Sequence, residues 1–418
     1  MFNRDRWKEI LEVLTTNIFR TLLTAFGVFW GIFILLLLLA AGKGLENGVK
    51  QDFSGVATNT VFVWTQTTTM EYDGLPKGRN YSFNLEDVRL IEEEIPQLRF
   101  VSPRNAMGSR GINNVVYGIK AGGYRIFGDT PNISDQNSMA ITSGRFLNQP
   151  DLDQKRKVAI LGDGVVTDLF ETDEEPLGEY VKINGVNFLV VGTYKDRNGN
   201  GGNQNASKQI FIPFTTFSQA YNRGDRVGWM AITAKDGSSI TSLTPKILNI
   251  IKKNHRINPK DHRAVGNFDL FQEYSRVENL FGAMRWIAIV VGTLVLLSGV
   301  IGVSNIMLIV VKERTKEIGI RRALGESPFS IKMQIIMESI FLTIISGMAG
   351  VVFGTLIIFA INMALDASGP VDMFLAPSVD LGSVVGALVI LIISGLLAGF
   401  IPANSAIKVK PIEALRSE

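Results

Sequence analysis

The sequence predicts an α-helical membrane protein with four transmembrane helices and a large α+β periplasmic domain inserted between helices 1 and 2. Three observations predict it. Four long stretches carry no charged residue, and about 240 residues of mixed pattern separate the first stretch from the second. Of 418 residues, 46% are hydrophobic and 19% charged, more apolar and less charged than an ordinary soluble chain.

The first stretch, Leu22 to Gly42, contains the run Ile32 to Leu39 and at 1.5 Å per residue covers roughly 30 Å, one hydrocarbon thickness. It is too long for the apolar core of a signal peptide, and Asp5, Glu9 and Glu12 precede it. Trp286 to Val311, Ser339 to Leu365 and Leu381 to Ile407 are the other three. Basic residues set the expected orientation. Arg4, Arg6, Lys8 and Arg20 precede the first span, Lys312, Arg314, Lys316, Arg321, Arg322 and Lys332 lie between the second and third, and Lys408, Lys410 and Arg416 follow the fourth. The 366–380 loop has only Asp366, Asp372 and Asp380. Both termini and the 312–332 loop are therefore expected in the cytoplasm, and the 366–380 loop and the large insert outside.

Within the insert, Thr60 to Thr65 reads as a strand of β-branched and aromatic residues, and Leu85 to Ile95 as a helix stopped by Pro96. Lys157 to Gly162 reads as a strand and Gly164 to Phe170 as a helix. Asn184-Gly185, between two alternating runs, signals a tight hairpin. Gln209 to Pro213 and Trp229 to Ala234 are further strands, and Asn198 to Asn205 reads as an exposed loop. From Phe271 to Met284 an apolar stripe at Phe271, Tyr274, Val277, Phe281 and Met284 leads without a breaker into the second span, predicting one continuous helix.

Most catalytic chemistry is missing. The chain has no Cys, which excludes disulfides, thiolate metal sites and Cys nucleophiles, and no Gly-rich phosphate loop ending in Lys-Ser or Lys-Thr. His255 and His262 lie in a basic segment without a third ligand and read as surface histidines. Glu92 to Glu94 and Asp173 to Glu175 read as solvated faces. A net charge of +3 gives no reason to expect nucleic acid. The spans hold little polarity for an ion route. Glu338 is the exception, a charge expected near the cytoplasmic boundary as an interface anchor or in a gating or pairing role. Gly350 with Gly354, Gly395 with Gly399, and Ser298 with Gly302 favour close packing between spans or between copies.

The loop between the second and third spans is the most informative segment. Glu313, Arg314, Glu317, Ile318, Gly319, Ile320, Arg321, Ala323 and Leu324 form a short charged helix with Ile320, Ala323 and Leu324 on one side. Gly325 ends it, and Ser327-Pro328 supplies an N-cap and first-turn proline for the next helix. An apolar edge ringed by charge suits docking onto a soluble partner; a basic loop resting on anionic lipid is the alternative.

Gly299 to Leu308, followed by Glu313 to Gly325, resembles the FtsX-like permease family of ABC transporters, of the macrolide-exporter (MacB) and lipoprotein-releasing type. Pro402-Ala403 and Pro411 to Arg416 resemble the family's ending. Gly144 to Phe146, Val158 to Gly162, Pro176 to Gly178 and Ile183 to Gly192 resemble its periplasmic core domain. The resemblance implies a cytoplasmic segment over 1–20, helix 1 over 21–42 and a core of two subdomains over 43–270. A stalk and helix 2 over 271–311, a coupling helix loop over 312–327 and helix 3 over 328–365 follow. A loop over 366–380, helix 4 over 381–407 and a cytoplasmic tail over 408–418 complete it. The chain is expected to be a non-catalytic inner-membrane permease, a homodimer or a heterodimer with a related permease. Glu313 to Gly325 would seat it on two copies of a separate ABC ATPase that binds ATP and Mg. A periplasmic adaptor and an outer-membrane duct are further partners the family allows. A second reading is a regulator that transports nothing and relays the ATPase cycle to a cell-wall hydrolase.

Overall fold

In a computed structural model, residues 18–53, 56–107, 114–171, 173–196, 207–368 and 373–408 are described. Most of the expected 1–20 segment, the Asn198 to Asn205 loop, the centre of the 366–380 loop and the tail after Lys408 lie outside the described residues.

The described chain starts with the long helix α1 (Ile18–Asp52). The insert then gives β1 (Thr60–Thr65), β2 (Phe83–Asn84), α2 (Leu85–Glu94), β3 (Leu98–Met107), β4 (Val115–Tyr117) and β5 (Lys120–Gly122). Next come β6 (Arg125–Asp129), α3 (Ile133–Gln136), β7 (Met139–Gly144), α4 (Gln149–Asp153), β8 (Val158–Gly162) and α5 (Asp163–Leu169). After these follow β9 (Tyr180–Ile183), β10 (Val186–Asp196), β11 (Gln209–Pro213), α6 (Phe214–Ala220), β12 (Arg226–Val227) and β13 (Trp229–Ala234). The chain continues through α7 (Ile240–Asn254), β14 (Val265–Asp269), α8 (Leu270–Glu313), α9 (Thr315–Ala323), α10 (Pro328–Ser368) and α11 (Leu381–Ile407). Among the described residues α1, α8, α10 and α11 are long and apolar enough to cross a membrane. The chain divides into two compact units, Lys50–Glu278 and the remainder, Met1–Val49 with Asn279–Glu418.

The Lys50–Glu278 unit is built on one 12-stranded sheet in the order β14-β1-β13-β3-β6-β11-β8-β10-β9-β4-β5, with β7 also on β10. Strand β3 joins its halves, pairing β13 through Leu98 to Arg104 and β6 through Asn105 to Met107. Beside β1 and β13, Val61, Val63, Met230 and Ile232 pack with Ile91 of α2 and Ile247 and Ile251 of α7. In the other half the period-2 alternation of a strand sends neighbours to opposite faces. Ile126, Leu161 and Ile210 enter one cluster, and Phe127, Ile160 and Phe211 enter another. This half is buried on both faces, which suits its parallel pairs β10–β8 and β11–β6.

Local chemistry sets the boundaries. Asn84 caps α2 reciprocally with Asp87, and Asn148 caps α4 with Asp151. Asn184 (φ +44°) and Gly185 (φ +86°) both occupy the left-handed region that a type I′ hairpin needs between β9 and β10.

The unit of spanning helices is held by small residues at crossings. A Cβ on Gly299 of α8 would sit 2.7 Å from the Gly27 carbonyl carbon of α1, and one on Gly31 2.9 Å from the Leu296 Cα. On α11, a Cβ at Gly395 or Gly399 would lie 3.0 Å from the Cα of Ile340 or Ile336 on α10. Gly350 approaches the Phe29 carbonyl oxygen to 2.7 Å by the same measure, whereas Gly354 has ordinary contact with Leu36 at 3.4 Å. Ser298 is exposed and Gly302 faces open space, so within the chain that pair makes no close approach. The neighbouring Gly299 makes it instead, one residue round the helix.

Candidate functional site

Helix α9 is nine residues long and bounded by two breaks. Arg314 precedes it with no side-chain cap, and Gly325 follows at φ +95°, a backbone conformation available to glycine at little cost. Ser327 then caps α10, its Oγ accepting from the Ser330 amide at 3.2 Å, with Pro328 in the first turn.

Helix α9 has two faces. Ile318 is 8% exposed and joins the apolar cluster containing Val311, Ile331 and Ile335, and Gly319 is also buried. These two of the expected docking residues therefore face the spans of their own chain. Ile320 is 42% exposed and Leu324 83%, and Ala323, Gly325 and Glu313 are exposed too. The outward edge is thus apolar at Ile320, Ala323 and Leu324 and flanked by charge.

The inner side is tied down by polar bonds. Arg314 Nε donates to Glu317 Oε2 at 3.0 Å, and Arg321 Nη2 donates to Glu317 Oε1 at 2.7 Å. Arg322 Nη1 donates to the Ile407 carbonyl at 2.8 Å, fastening the end of α9 to the end of α11. Glu338, only 3% exposed, accepts from Arg314 Nη1 at 3.3 Å. Of the sequence-derived set, Arg314, Glu317, Arg321 and Glu338 come together. Gln334 and Arg322, absent from that set, complete the fastening; their polarity on a loop-proximal helix turn was the available signal.

One histidine departs from expectation. His262 is exposed, but the His255 side chain is 12% exposed and its Nε2 lies 2.8 Å from Oδ2 of Asp87, a fully buried carboxylate. Asp87 also accepts from Asn254 Nδ2 at 2.7 Å, so this is a structural pairing of α2 with the end of α7. Among the described residues no group of three or more potential metal ligands comes together.

Residues 21–250 match the family described as MacB-like periplasmic core domain, and residues 289–411 match the FtsX-like permease C-terminal family. The chain is 28% identical over 424 residues to the pyoverdine export ATP-binding/permease protein PvdT of Pseudomonas savastanoi pv. phaseolicola (strain 1448A / Race 6), covering 100% of this chain and 61% of that protein. It is 28% identical over 408 residues to the macrolide export ATP-binding/permease protein MacB of Bdellovibrio bacteriovorus (strain ATCC 15356 / DSM 50701 / NCIMB 9529 / HD100), covering 97% and 61%. The chain thus spans about three fifths of the length of the curated relatives it matches. The crystal structure of the periplasmic region of MacB from Actinobacillus actinomycetemcomitans aligns with 55% of this chain and 96% of that one, at 19% identity and a TM-score of 0.43. With one family matched across more than half of its length and a second across the spans that follow, the chain belongs to the MacB/FtsX-type permeases, as a multi-pass membrane protein carrying a MacB-like periplasmic core domain.

Proposed function

We propose that the chain is the permease partner of an ABC-type ATPase and that α9 is the seat on which the ATPase docks. The permease acts as a dimer served by two ATPase copies. Closure of the ATPases on nucleotide pushes α9, and the spans relay that displacement to the inserted domain, which releases or exports a periplasmic or outer-leaflet substrate. The observation that carries this reading is the two-faced α9: Ile318 packed inward and Arg322 fastened to α11, with Ile320, Ala323 and Leu324 left outward. A short apolar edge ringed by charge has the make-up of a protein contact whose core is apolar and whose rim is polar.

Two further features support it. Helix α8 runs from Leu270 to Glu313 without interruption, so a push near α9 enters a stiff element rather than a linker. Both relatives are named as export proteins with ATP-binding and permease parts. In this reading the 312–332 loop and both termini are cytoplasmic, the inserted domain is periplasmic, and the ATPase supplies the ATP and Mg chemistry.

The test is substitution of the outward edge. Ile320→Asp or Leu324→Asp should abolish co-purification of the ATPase and the stimulation of its turnover in nanodiscs, with membrane insertion intact. Unchanged binding and turnover in both variants would overturn the docking role.

A further inference from the structure

A charged side chain inside an apolar span is costly unless it is paired, and Glu338 is paired in a particular way. Its Oε1 accepts from Arg314 at 3.3 Å and from Gln334 Nε2 at 3.4 Å. Arg314 continues to Glu317 at 3.0 Å, Glu317 to Arg321 at 2.7 Å, and Arg321 Nη1 to Gln334 Oε1 at 3.3 Å. The contacts close on themselves: Glu338, Arg314, Glu317, Arg321, Gln334 and back to Glu338. Three members belong to α9 or the residue just before it, and two to successive turns of α10. Arg314, Glu317, Arg321 and Gln334 of the ring border a cavity of about 20 Å³ lined also by Ile318, Ile331 and Ile335, large enough for a single water.

A buried ion pair contributes little net stability compared with apolar packing of the same volume, and its best-attested use is to fix one arrangement among several. Helix α9 needs such a device. Nine residues between an uncapped start and a left-handed Gly325 have little intrinsic stiffness, and apolar contact at Ile318 with one hydrogen bond from Arg322 at the far end would let the helix roll. Two arginines held at both ends of the ring, i and i+7 along the α9 segment, remove that freedom.

We propose that Glu338 is a positioning residue: through the closed ring it fixes the orientation of α9 on α10, so that force applied to α9 moves α10 instead of being absorbed by rotation of the short helix. The consequence for ATPase coupling rests on the docking reading above; the orientational role does not.

The full chain in nanodiscs provides both tests, and its lack of cysteine allows site-specific spin labels without background. Labels at Lys316→Cys and Ile345→Cys, exposed positions on α9 and on α10, report the spread of distances between the two helices. In the parent the distribution should be narrow. Glu338→Leu, and the double variant Arg314→Met with Glu338→Leu, which leaves no lone buried charge behind, should broaden it while thermal unfolding stays near the parent's. Glu338→Gln, which keeps an acceptor toward Arg314, should fall between. A distribution as narrow as the parent's in the folded double variant would overturn the proposal. With the ATPase added, Glu338→Leu should retain co-purification but lose roughly tenfold in stimulated turnover. Full stimulation with a broadened distribution would overturn the force-transmitting part. If instead Ile320→Asp and Leu324→Asp both leave ATPase binding and turnover untouched, the docking reading fails and the spin-label result still judges the ring.

Discussion

The inserted domain and the spanning unit are assembled by opposite means. The domain is held by large side chains: Phe188, Phe211, Phe217 and Tyr194 are almost fully buried, and alternate strand residues fill cores on both faces of the sheet. The spanning unit is held at points where side chains are absent, at Gly27 against Gly299 and at Gly395 and Gly399 against α10. The contrast follows from the solvent. In water, apolar area removed from contact stabilises at about 25 cal/mol per Å², so bulk is useful. In lipid the tails are as apolar as leucine, and close backbone approach is what a helix pair gains over the bilayer. The same contrast governs charge: the domain buries several carboxylates, whereas Glu338 is the buried charge the α10 span tolerates, and it sits in a ring of partners.

The largest expected effect is at the crossing of α1 and α8. Gly299→Leu places a branched side chain where even a Cβ meets the α1 backbone, and should prevent recovery of folded, monodisperse protein in detergent; Gly302→Leu, three residues along and facing open space, should not. Equal yields would remove the basis of the comparison. Next is bulk in the domain. Phe188→Ala should destabilise the Lys50–Glu278 unit by about 3–5 kcal/mol, read as loss of hydrogen-exchange protection in β8 and β10.

A third prediction concerns buried charge in the domain. Burial pushes the Asp129 carboxyl up to about 6 from its ordinary 3.8, against the opposing pull of Arg104, whose Nε lies 3.1 Å away. A raised acid binds its proton more tightly in the folded state, so this group's contribution is greatest below the ordinary carboxylate value and declines as pH rises through about 6. Asp129→Asn cannot titrate. Relative to the parent it should therefore gain stability between pH 4 and pH 7, by at most on the order of 3 kcal/mol. A parent-to-variant difference that is flat with pH in protection of β3 and β6 would contradict it. The smallest effect separates two glycines of one motif: Gly350→Ala must displace the Phe29 carbonyl and should lower the melting temperature, whereas Gly354→Ala meets only ordinary contact and should leave it within about a degree or two.

What could be read from the sequence was what local chemistry encodes. Asn184-Gly185 specifies left-handed backbone, Gly325 and Ser327-Pro328 specify a stop and a start, and the uncharged runs specify spans. Helix limits were less legible. The uncharged run ends the first span at Gly42, but charge marks where lipid ends, not where hydrogen bonding does, and α1 continues through Lys43, Glu46 and Lys50 to Asp52. Facing was the other gap. In a segment apolar on every side, periodicity cannot tell Gly299 from Ser298 and Gly302, since the answer depends on the partner helix. Ile318 and Ile320, two residues apart, fall on opposite sides of any α-helix, but periodicity does not say which of the two sides meets the spans. His255 found its partner 168 residues away, a pairing that no local pattern announces.

The sidedness of the molecule is the claim on which energy coupling depends, and impermeant thiol labelling tests it directly. Leu324→Cys on the α9 edge and Ile119→Cys at the β4–β5 tip are both exposed single cysteines in an otherwise cysteine-free chain. In intact spheroplasts Ile119→Cys should react at once and Leu324→Cys only after the membrane is permeabilised. Reaction of both from the same side without permeabilisation would place α9 and the inserted domain in one compartment and contradict the account.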